Sequence, residues 1–342
     1  MHTERIIRAL ADPTRLRIMR LLARMELAVG ELAQVLAQSQ PRVSRHVAIL
    51  VDSALIDRRR EGSWIFLRCA PGEAAPEAGL LGAAAHLLDI AETHDPAFAA
   101  QCEEDRRHLA AIRQHREDHA AHYFAAHAQD WDRLRDMLTP AGDIEAALRA
   151  RLADKPLGAL LDIGTGTGRS AEVLAPDAMH IVGLDRSPEM LRLARARLQH
   201  LPAASWELVQ GDFAALPFAP ASFDTVLLHQ VLHFAPDPGL PLAEAARVCR
   251  AGGRIAIVDL AAHDREELRA RHAHARLGFA DEQMSGWLTR HGFMPLEPLA
   301  LDGHDLTTKI WVATRCPAER PAERPAEPAA LTPRREFSHG PV

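Results

Sequence analysis

A short apolar segment that runs into three glycines constrains this chain more than any other feature. Residues 159–163 are predicted to form a buried strand, and Gly164, Gly166 and Gly168 follow it in one turn. Glycine has no Cβ, so it lets the backbone approach a bound ligand closely. The spacing is GxGxG and not the dinucleotide pattern GxGxxG, because Arg169 stands where that pattern needs a glycine. The turn predicts an α/β domain with a close ligand, but no helix-bound pyrophosphate.

The predicted strands that begin here end in carboxylates. Asp162 lies in the first strand, Asp185 ends the strand 180–185, and Asp212 follows the strand 206–210. A single aspartate at a strand end is common, since it caps the next helix. Three at successive strand ends around a glycine turn instead indicate an adenosyl site, with Asp185 accepting from the ribose hydroxyls and Asp212 from the adenine amino group.

The first 70 residues have a different composition and a different pattern. They carry a net charge of +5, whereas the rest of the chain carries −11, so only this region is expected to meet a polyanion. Helical spacing covers 3–24, with a break and a helix cap at Asp12-Pro13-Thr14. Two short helices are predicted at 30–37 and 40–53, and a β-hairpin at 55–69 around Glu61-Gly62. This order is typical of a winged helix.

The helix 40–53 is predicted to read DNA. Ser39 is expected to cap it, and Val43, Val47 and Leu50 are expected to face the core, which leaves a polar face near the helix start. Arginine and glutamine on such a face suit base edges, and the hairpin arginines suit phosphates or a minor groove. A solvated helix with a chance charge cluster is the alternative for the hairpin arginines taken alone. The predicted DNA-binding residues are Gln40, Arg42, Ser44, Arg45, His46, Arg58, Arg59 and Arg60.

Residues 3–70 resemble the ArsR family of winged-helix repressors. The resemblance rests on Ala11-Asp12-Pro13-Thr14-Arg15-Leu16-Arg17-Ile18, Ser44-Arg45-His46 and Arg59-Arg60-Glu61-Gly62. It implies a homodimer on palindromic operator DNA that represses until an inducer binds. Metal-sensing members carry two cysteines where this chain has Ala28 and Gly30, so the resemblance does not extend to soft-metal sensing at this position.

Residues 120–315 are similar to class I S-adenosylmethionine-dependent methyltransferases, close to the branch of ubiquinone and menaquinone biosynthesis. The matching motifs are the glycine turn, Asp185 with Ser187-Pro188-Glu189-Met190-Leu191, Asp212-Phe213 and the late turn Gly252-Gly253. The resemblance implies S-adenosylmethionine or S-adenosylhomocysteine as ligand, with the helix from Tyr123 to Trp131 as a lid over it. The predicted cofactor-binding residues are Asp162, Gly164, Thr165, Gly166, Gly168, Asp185, Arg186, Met190, Gly211, Asp212, Phe213, His229, Tyr123 and Trp131.

The predicted architecture is therefore α/β with an N-terminal winged helix-turn-helix. We expect a winged helix over 1–70, a helical connector for dimerisation over 71–139, a doubly wound, seven-stranded, Rossmann-like sheet over 140–315 and a disordered Pro-rich tail over 316–342. The connector starts with a predicted hinge at 71–79, and residues 80–139 are predicted to form two helices with a break near Asp95-Pro96 and to pack their apolar residues on a partner chain. His115, His119 and His122 share a helical face in the connector and leave zinc open as an alternative, although no fourth ligand can be named and no metal is predicted. No apolar run is long enough to span a membrane, so a cytoplasmic protein is expected.

Two functions fit this architecture. In the first, the methyltransferase-like domain is a sensor, and its adenosyl ligand changes operator affinity; the joined architecture resembles regulators of the methionine and S-adenosylmethionine cycle. In the second, the domain methylates a small molecule and the winged helix serves autoregulation. His229 and His233 lie where a base could stand, but no Asn-Pro-Pro-Tyr motif is present and the four cysteines do not group. Fold similarity alone does not establish catalysis, so the sensor is preferred and no catalytic residue is predicted.

Overall fold

The structure is a computed structural model that describes residues 2–61, 64–70, 78–131, 141–303 and 305–317. Residues 71–77 of the predicted hinge (71–79) and residues 318–342 of the predicted Pro-rich tail (316–342) lie outside the described residues. The described part contains an N-terminal helical region with a small sheet and a C-terminal α/β region with a large one. No helix among the described residues combines the length and apolarity that crossing a membrane requires.

The N-terminal region has the predicted winged-helix order. Asp12 caps the second helix by accepting a hydrogen bond from the backbone N–H of Arg15 at 3.1 Å, as predicted, whereas Ser39 precedes the fourth helix without a side-chain capping bond. The small sheet has the order β1-β3-β2, and Glu61 pairs with Trp64 across the hairpin. The elements are α1 (His2–Leu10), α2 (Pro13–Leu22), β1 (Leu27–Ala28), α3 (Val29–Val35), α4 (Gln40–Asp52), β2 (Ile56–Glu61) and β3 (Trp64–Cys69).

Two long helices follow, α5 (Ala78–His94) and α6 (Pro96–His127), with the predicted break at Asp95. Two of their apolar residues, Leu88 and Leu109, belong to the core of the winged helix, so only the other apolar residues are left for the predicted contact with a partner chain. The contact is reinforced by ion pairs, because Arg17 of α2 reaches the buried Asp105 of α6 at 2.5 Å. The first part of the connector is thus integral to the N-terminal region.

The C-terminal region is built on a sheet with the strand order β10-β11-β8-β7-β4-β5-β6, and a short β9 pairs with β11. A seven-stranded sheet was predicted, and the strand order contains seven strands. The short β9 is an eighth strand that was not predicted. The strands β4 to β8 are parallel to one another, whereas β11 pairs antiparallel with β8. The strands are β4 (Ala159–Ile163), β5 (His180–Asp185), β6 (Trp206–Gln210), β7 (Phe223–His229), β8 (Cys249–Leu260), β9 (Phe293–Pro295), β10 (Leu299–Asp302) and β11 (Thr307–Arg315).

Helices cover both faces of this sheet, and two apolar clusters lie between the layers. The near-continuous burial of β4, β5, β7 and β8 agrees with a parallel sheet that is covered on both sides. In such sheets ligands bind beyond the carboxyl ends of the strands, where the strand order reverses. Here that point lies between β4, β5 and β7. The helices are α7 (Ala141–Leu152), α8 (Arg169–Leu174), α9 (Pro188–Leu198), α10 (Gly239–Val248), α11 (Glu267–His272) and α12 (Asp281–Arg290).

Candidate functional site

A cavity of about 480 Å³ opens at the carboxyl ends of β4, β5, β6 and β7. Its volume lies within the range typical of small-molecule sites. Of the residues predicted to bind the cofactor, it brings together Trp131, Gly164, Thr165, Gly166, Asp185, Arg186, Met190, Gly211, Phe213 and His229. This set joins the glycine turn, three further strand ends and the connector in one cavity.

The glycine turn adopts a backbone that requires glycine. Gly164 has φ +70°, and a Cβ placed on it would lie 2.5 Å from a methyl carbon of Val231, so any side chain would collide. Gly166 has φ +55°, and a Cβ on it would lie 3.8 Å from the indole nitrogen of Trp131. The turn is therefore shaped for close approach of a ligand, and Trp131 covers it.

Asp185 is held in place by the backbone around it. One carboxylate oxygen accepts from the N–H of Gly166 and the other from the N–H of Ser187, both at 2.8 Å. Burial raises the pKa of the Asp185 carboxyl, and these backbone hydrogen bonds oppose that rise. Each oxygen keeps acceptor capacity for a ligand hydroxyl, since a carboxylate oxygen accepts more than one hydrogen bond. The carboxylate is preorganised to accept from a pair of hydroxyls.

Some predicted residues do not line the cavity. Asp162 is 1% exposed and accepts from the Thr165 hydroxyl at 2.7 Å, so it supports the glycine turn from beneath. Gly168 starts α8 with φ +80° and packs against Ala194. Asp212 accepts from the N–H of Ala214 at 2.8 Å, between two residues that do line the cavity. The predicted direct contacts of these three residues with the ligand stay predictions, and the structure assigns them supporting contacts.

The other predictions in the connector cannot be compared. The structure does not describe the side chains of four of these residues, Tyr123, His115, His119 and His122. The lid contact of Tyr123 and the zinc alternative therefore stay predictions. Across the part of the chain whose side chains are described, no cluster of three or more histidine, cysteine, aspartate or glutamate residues has a geometry that could hold a metal ion.

The structure adds wall residues beyond those that were predicted to bind the cofactor. Ser170 is one of them, and its hydroxyl lies 2.5 Å from the ring of the predicted residue His229. Residues 273–275 follow α11 and also line the cavity, and no recognisable motif in the sequence indicated them. Burial lowers the pKa of His274, which keeps its ring neutral. The remaining additions to the predicted wall are Phe124, Thr167, Ser170, Leu184, Ser187, Pro188, Glu189, Gln230, Val231, Phe234, Pro236, Arg269, Ala273, His274 and Ala275.

The aromatic part of this wall is continuous. Phe124 and Trp131 meet edge to face with ring centroids 5.2 Å apart, and Phe234 lies 5.9 Å from Trp131. His274 continues the series at 5.2 Å from Phe234. The cavity therefore extends from the glycine turn to residues 273–275.

The fourth helix exposes most of its predicted reading face. Gln40, Arg42, Ser44 and Arg45 are exposed in the first two turns of α4, while Val43, Val47 and Leu50 are buried, as predicted. An exposed polar helix face of this kind suits the DNA major groove.

Two predicted DNA-binding residues have intramolecular contacts instead of full exposure. His46 is partly buried with its ring nitrogen 3.6 Å from the Asp12 carboxylate. In β2, Arg58 and Arg60 are exposed, but Arg59 points to the opposite face of the strand. It lies 3.5 Å from the Glu26 carboxylate and over the ring of Phe66. Both side chains are therefore only partly exposed, and their predicted contacts with DNA stay predictions.

Comparisons with protein families agree with this division. Residues 12–58 match the family model of bacterial regulatory proteins of the arsR family, and residues 161–257 match that of a methyltransferase domain. The first match covers the helices α2 to α4 and the start of β2. The second covers β4 to β7 and most of β8, including the glycine turn and Asp185.

Relatives match over the C-terminal region. The chain is 36% identical to the demethylmenaquinone methyltransferase of Tropheryma whipplei (strain Twist) over 137 residues, which is 39% of this chain and 55% of the relative. It is 34% identical to the arsenite methyltransferase of Halobacterium salinarum over 116 residues, 33% of this chain and 29% of the relative. The chain thus spans about half the length, or less, of these two curated relatives.

A solved structure supports the fold of the same region. A chain of the Haloferax volcanii complex that contains a methyltransferase activator superposes with a TM-score of 0.51 at 20% identity, and the match covers 59% of this chain and 99% of that chain. The identity is low, so the likeness concerns the fold.

Proposed function

We propose that this chain, which joins an arsR-family DNA-binding domain to a methyltransferase domain, is a transcriptional regulator that takes S-adenosylmethionine or S-adenosylhomocysteine as its effector. In this proposal α4 enters the major groove of operator DNA, and the adenosyl ligand occupies the cavity beside β4 and β5. Binding of the ligand changes the affinity for the operator. A role as a repressor of methionine and S-adenosylmethionine cycle genes is the corresponding proposal for its targets.

The observation that carries the proposal is the Asp185 carboxylate beside the glycine turn. Its two oxygens are oriented by the N–H groups of Gly166 and Ser187, and Gly164 leaves no room for a side chain. A preorganised acceptor for vicinal hydroxyls next to a glycine turn suits a ribose. The exposed face of α4 on the same chain supports DNA as the second partner.

Dimerisation through the N-terminal region is part of the proposal. Ile7 of α1 and Leu87 and Ile90 of α5 are large apolar side chains that remain 63%, 56% and 44% exposed. Exposed apolar groups of this kind favour a protein contact. A homodimer would present two copies of α4 to a palindromic site.

Methyl transfer is the second candidate, and the extension of the cavity beyond the glycine turn to His274 favours it. Methyl transfer mainly requires alignment of the acceptor, the methyl group and the sulfur, so it does not depend on a catalytic base. The relatives named above are methyltransferases. Incubation with S-adenosylmethionine labelled in its methyl group and a small-molecule cell extract distinguishes the two: labelled products support the enzyme, and their absence favours the sensor.

The test of the sensor is operator binding by fluorescence anisotropy, with DNA from the protein's own upstream region. We expect either nucleoside to change the dissociation constant by about 5- to 150-fold, which corresponds to a coupling free energy of about 1–3 kcal/mol. Asp185→Ala should lose this response and keep the ligand-free affinity for DNA. Asp143→Ala, which changes an exposed carboxylate on α7, serves as the matched control and should respond like the wild type.

Equal DNA affinity in the presence and absence of both nucleosides contradicts the proposal. An Asp185→Ala variant that still responds contradicts the assigned site. A variant that loses DNA binding without any ligand contradicts the assumption that the two sites act separately.

A further inference from the structure

The wall of the cavity formed by residues 273–275 continues directly into Arg276, which contacts the N-terminal region. Arg276 is buried, and one of its guanidinium nitrogens lies 3.1 Å from a carboxylate oxygen of Glu26. The same guanidinium lies over the ring of Phe66, 4.0 Å from its centroid. Arginine suits such a place because its planar group stacks on an aromatic ring and pairs with a carboxylate at once.

The two partners of Arg276 belong to the sheet that carries the wing. Glu26 directly precedes β1, and Ala28 of β1 pairs with Phe66 of β3. Phe66 in turn pairs with Arg59 of β2. The exposed arginines Arg58 and Arg60 flank Arg59 in that strand, where contact with DNA phosphates is proposed. A displacement of Arg276 would therefore act at the base of the wing.

On the cavity side, the backbone holds the wall segment in place. The N–H groups of Ala275 and Arg276 both donate to the carbonyl oxygen of His233 at 2.9 Å. Arg276 also donates from its side chain to the carbonyl oxygen of Pro236 at 2.9 Å, and Pro236 itself lines the cavity. Arg269, another wall residue, donates to the carbonyl oxygen of Ala275. Wall and guanidinium are thus tied to the same loop.

These contacts form a short continuous path between the two proposed sites. His274 and Ala275 face the cavity, Arg276 is the next residue, and Glu26 and Phe66 belong to the wing sheet. Removal of one partner from a buried ion pair is costly, so Arg276 and Glu26 are expected to move together. Allosteric coupling requires two sites and an element that responds to both.

We propose that residues 273–276 are the element through which occupancy of the cavity alters the wing, with the Arg276–Glu26 ion pair and the Arg276–Phe66 contact as the link. The inference rests on the proposed function, because it assigns a route to that response. It makes a separate claim, however: the wing holds the cavity wall in place even without DNA or ligand.

The separate claim is tested by hydrogen exchange of the full-length protein without ligand. Glu26→Gln removes the carboxylate charge at the wing side and leaves every residue of the cavity unchanged. We expect the amide hydrogens of Ala275 and Arg276 to exchange at least tenfold faster in this variant, because the wall loses its external anchor. Phe66→Leu removes the stacked ring while keeping an apolar side chain, and should give a smaller increase at the same two amides.

Arg250→Met is the matched control. Arg250 also pairs with a carboxylate, that of Asp224 at 2.7 Å, but this pair lies at the amino end of β7, whereas the cavity lies at the carboxyl end. Its loss should leave exchange at Ala275 and Arg276 unchanged. Equal exchange at these amides in Glu26→Gln and the wild type would overturn the proposed link.

The second experiment measures the factor by which S-adenosylhomocysteine changes the dissociation constant for operator DNA. In Glu26→Gln and in Arg276→Met we expect the ligand to change the dissociation constant by less than about twofold. Arg250→Met should keep the wild-type factor. Retention of the full factor in both junction variants would overturn the route. If the wild type shows no response, the proposed function fails, and the exchange experiment alone then decides whether the wing holds the wall.

Discussion

Substitution of Asp185 by asparagine gives the sharpest test of the nucleoside site. The carboxylate accepts backbone hydrogen bonds from Gly166 and Ser187 at 2.8 Å and is proposed to accept two ribose hydroxyls as well. Asparagine keeps one acceptor oxygen, but its amide nitrogen would face one of the N–H donors. The substitution therefore weakens the ligand contacts and also displaces the side chain that makes them.

The size of the loss in binding free energy follows from the hydrogen bonds that the ligand would form with Asp185. A hydrogen bond to a charged group contributes about 1.5–3 kcal/mol. Both oxygens are already partly satisfied by the backbone, so we take the loss in binding as about 2–3 kcal/mol. At about 1.4 kcal/mol for each tenfold change, the dissociation constant for S-adenosylhomocysteine should rise roughly 30- to 150-fold. Isothermal titration calorimetry at pH 8 measures this directly, with Asp143→Asn as the control on an exposed carboxylate.

The pH dependence gives an independent check. Burial raises the pKa of the Asp185 carboxyl, so protonation on acidification begins at a higher pH than for an ordinary aspartate. Protonation removes the negative charge that the ribose hydroxyls bind. Wild-type affinity should therefore be constant above this raised pKa and fall as the pH drops through it, while Asp185→Asn stays nearly flat. An affinity for Asp185→Asn within threefold of the wild type at pH 8, or parallel pH profiles, would refute the assignment.

Three further predictions concern other parts of the molecule. Arg45→Ala should weaken binding to operator more than to random DNA, whereas Arg58→Ala should weaken both and lower the salt dependence by about one counterion; equal losses for Arg45→Ala would contradict base readout. Burial lowers the pKa of His274, so its neutral ring stabilises the fold fully above about pH 6.5, and the free energy of unfolding falls by about 1.4 kcal/mol for each pH unit below that value. Between pH 7.5 and 5.5 the melting temperature of His274→Phe should therefore fall by about 3–6 °C less than that of the wild type, and equal falls would contradict this prediction. Gly164→Ala should destabilise the C-terminal region by about 1–3 kcal/mol, because its φ is +70° and its Cβ would meet Val231; Val231→Ala in the same chain should restore part of the melting temperature, and no recovery would indicate backbone strain alone.

Local patterns predicted the strands and the turn around the site accurately. The strands β4, β5 and β6 have the bounds that the apolar runs 159–163, 180–185 and 206–210 indicated. The cap at Asp12 and the break at Asp95 were likewise readable, because helix caps depend on a few adjacent residues. Features that depend on adjacent residues, such as strand bounds and helix caps, can therefore be predicted from the sequence.

Contacts between distant segments were not readable in the same way. The wall residues 273–275 reach the cavity because their backbone binds the carbonyl oxygen of His233, about forty positions earlier. Nothing in the composition around them indicates this bond. Arg59 was assigned to DNA from its charge, but the alternation of β2 turns it toward Glu26 and Phe66. Leu88 and Leu109 were assigned to a partner chain with their neighbours, because the core that these two residues complete lies earlier in the sequence.

The position of His233 supports the proposed coupling, in which a displacement of the cavity wall alters the contacts at the base of the wing. Its ring donates to Asp259 at 2.7 Å, and Asp259 is fully buried in β8 and also accepts from the N–H groups of Leu232 and Leu260. The carbonyl that holds residues 275 and 276 is therefore fixed to the central sheet. A ligand that displaces the wall cannot move this anchor, because packed interiors do not deform continuously. The displacement must then be taken up at the other end of the segment, where Arg276 meets Glu26.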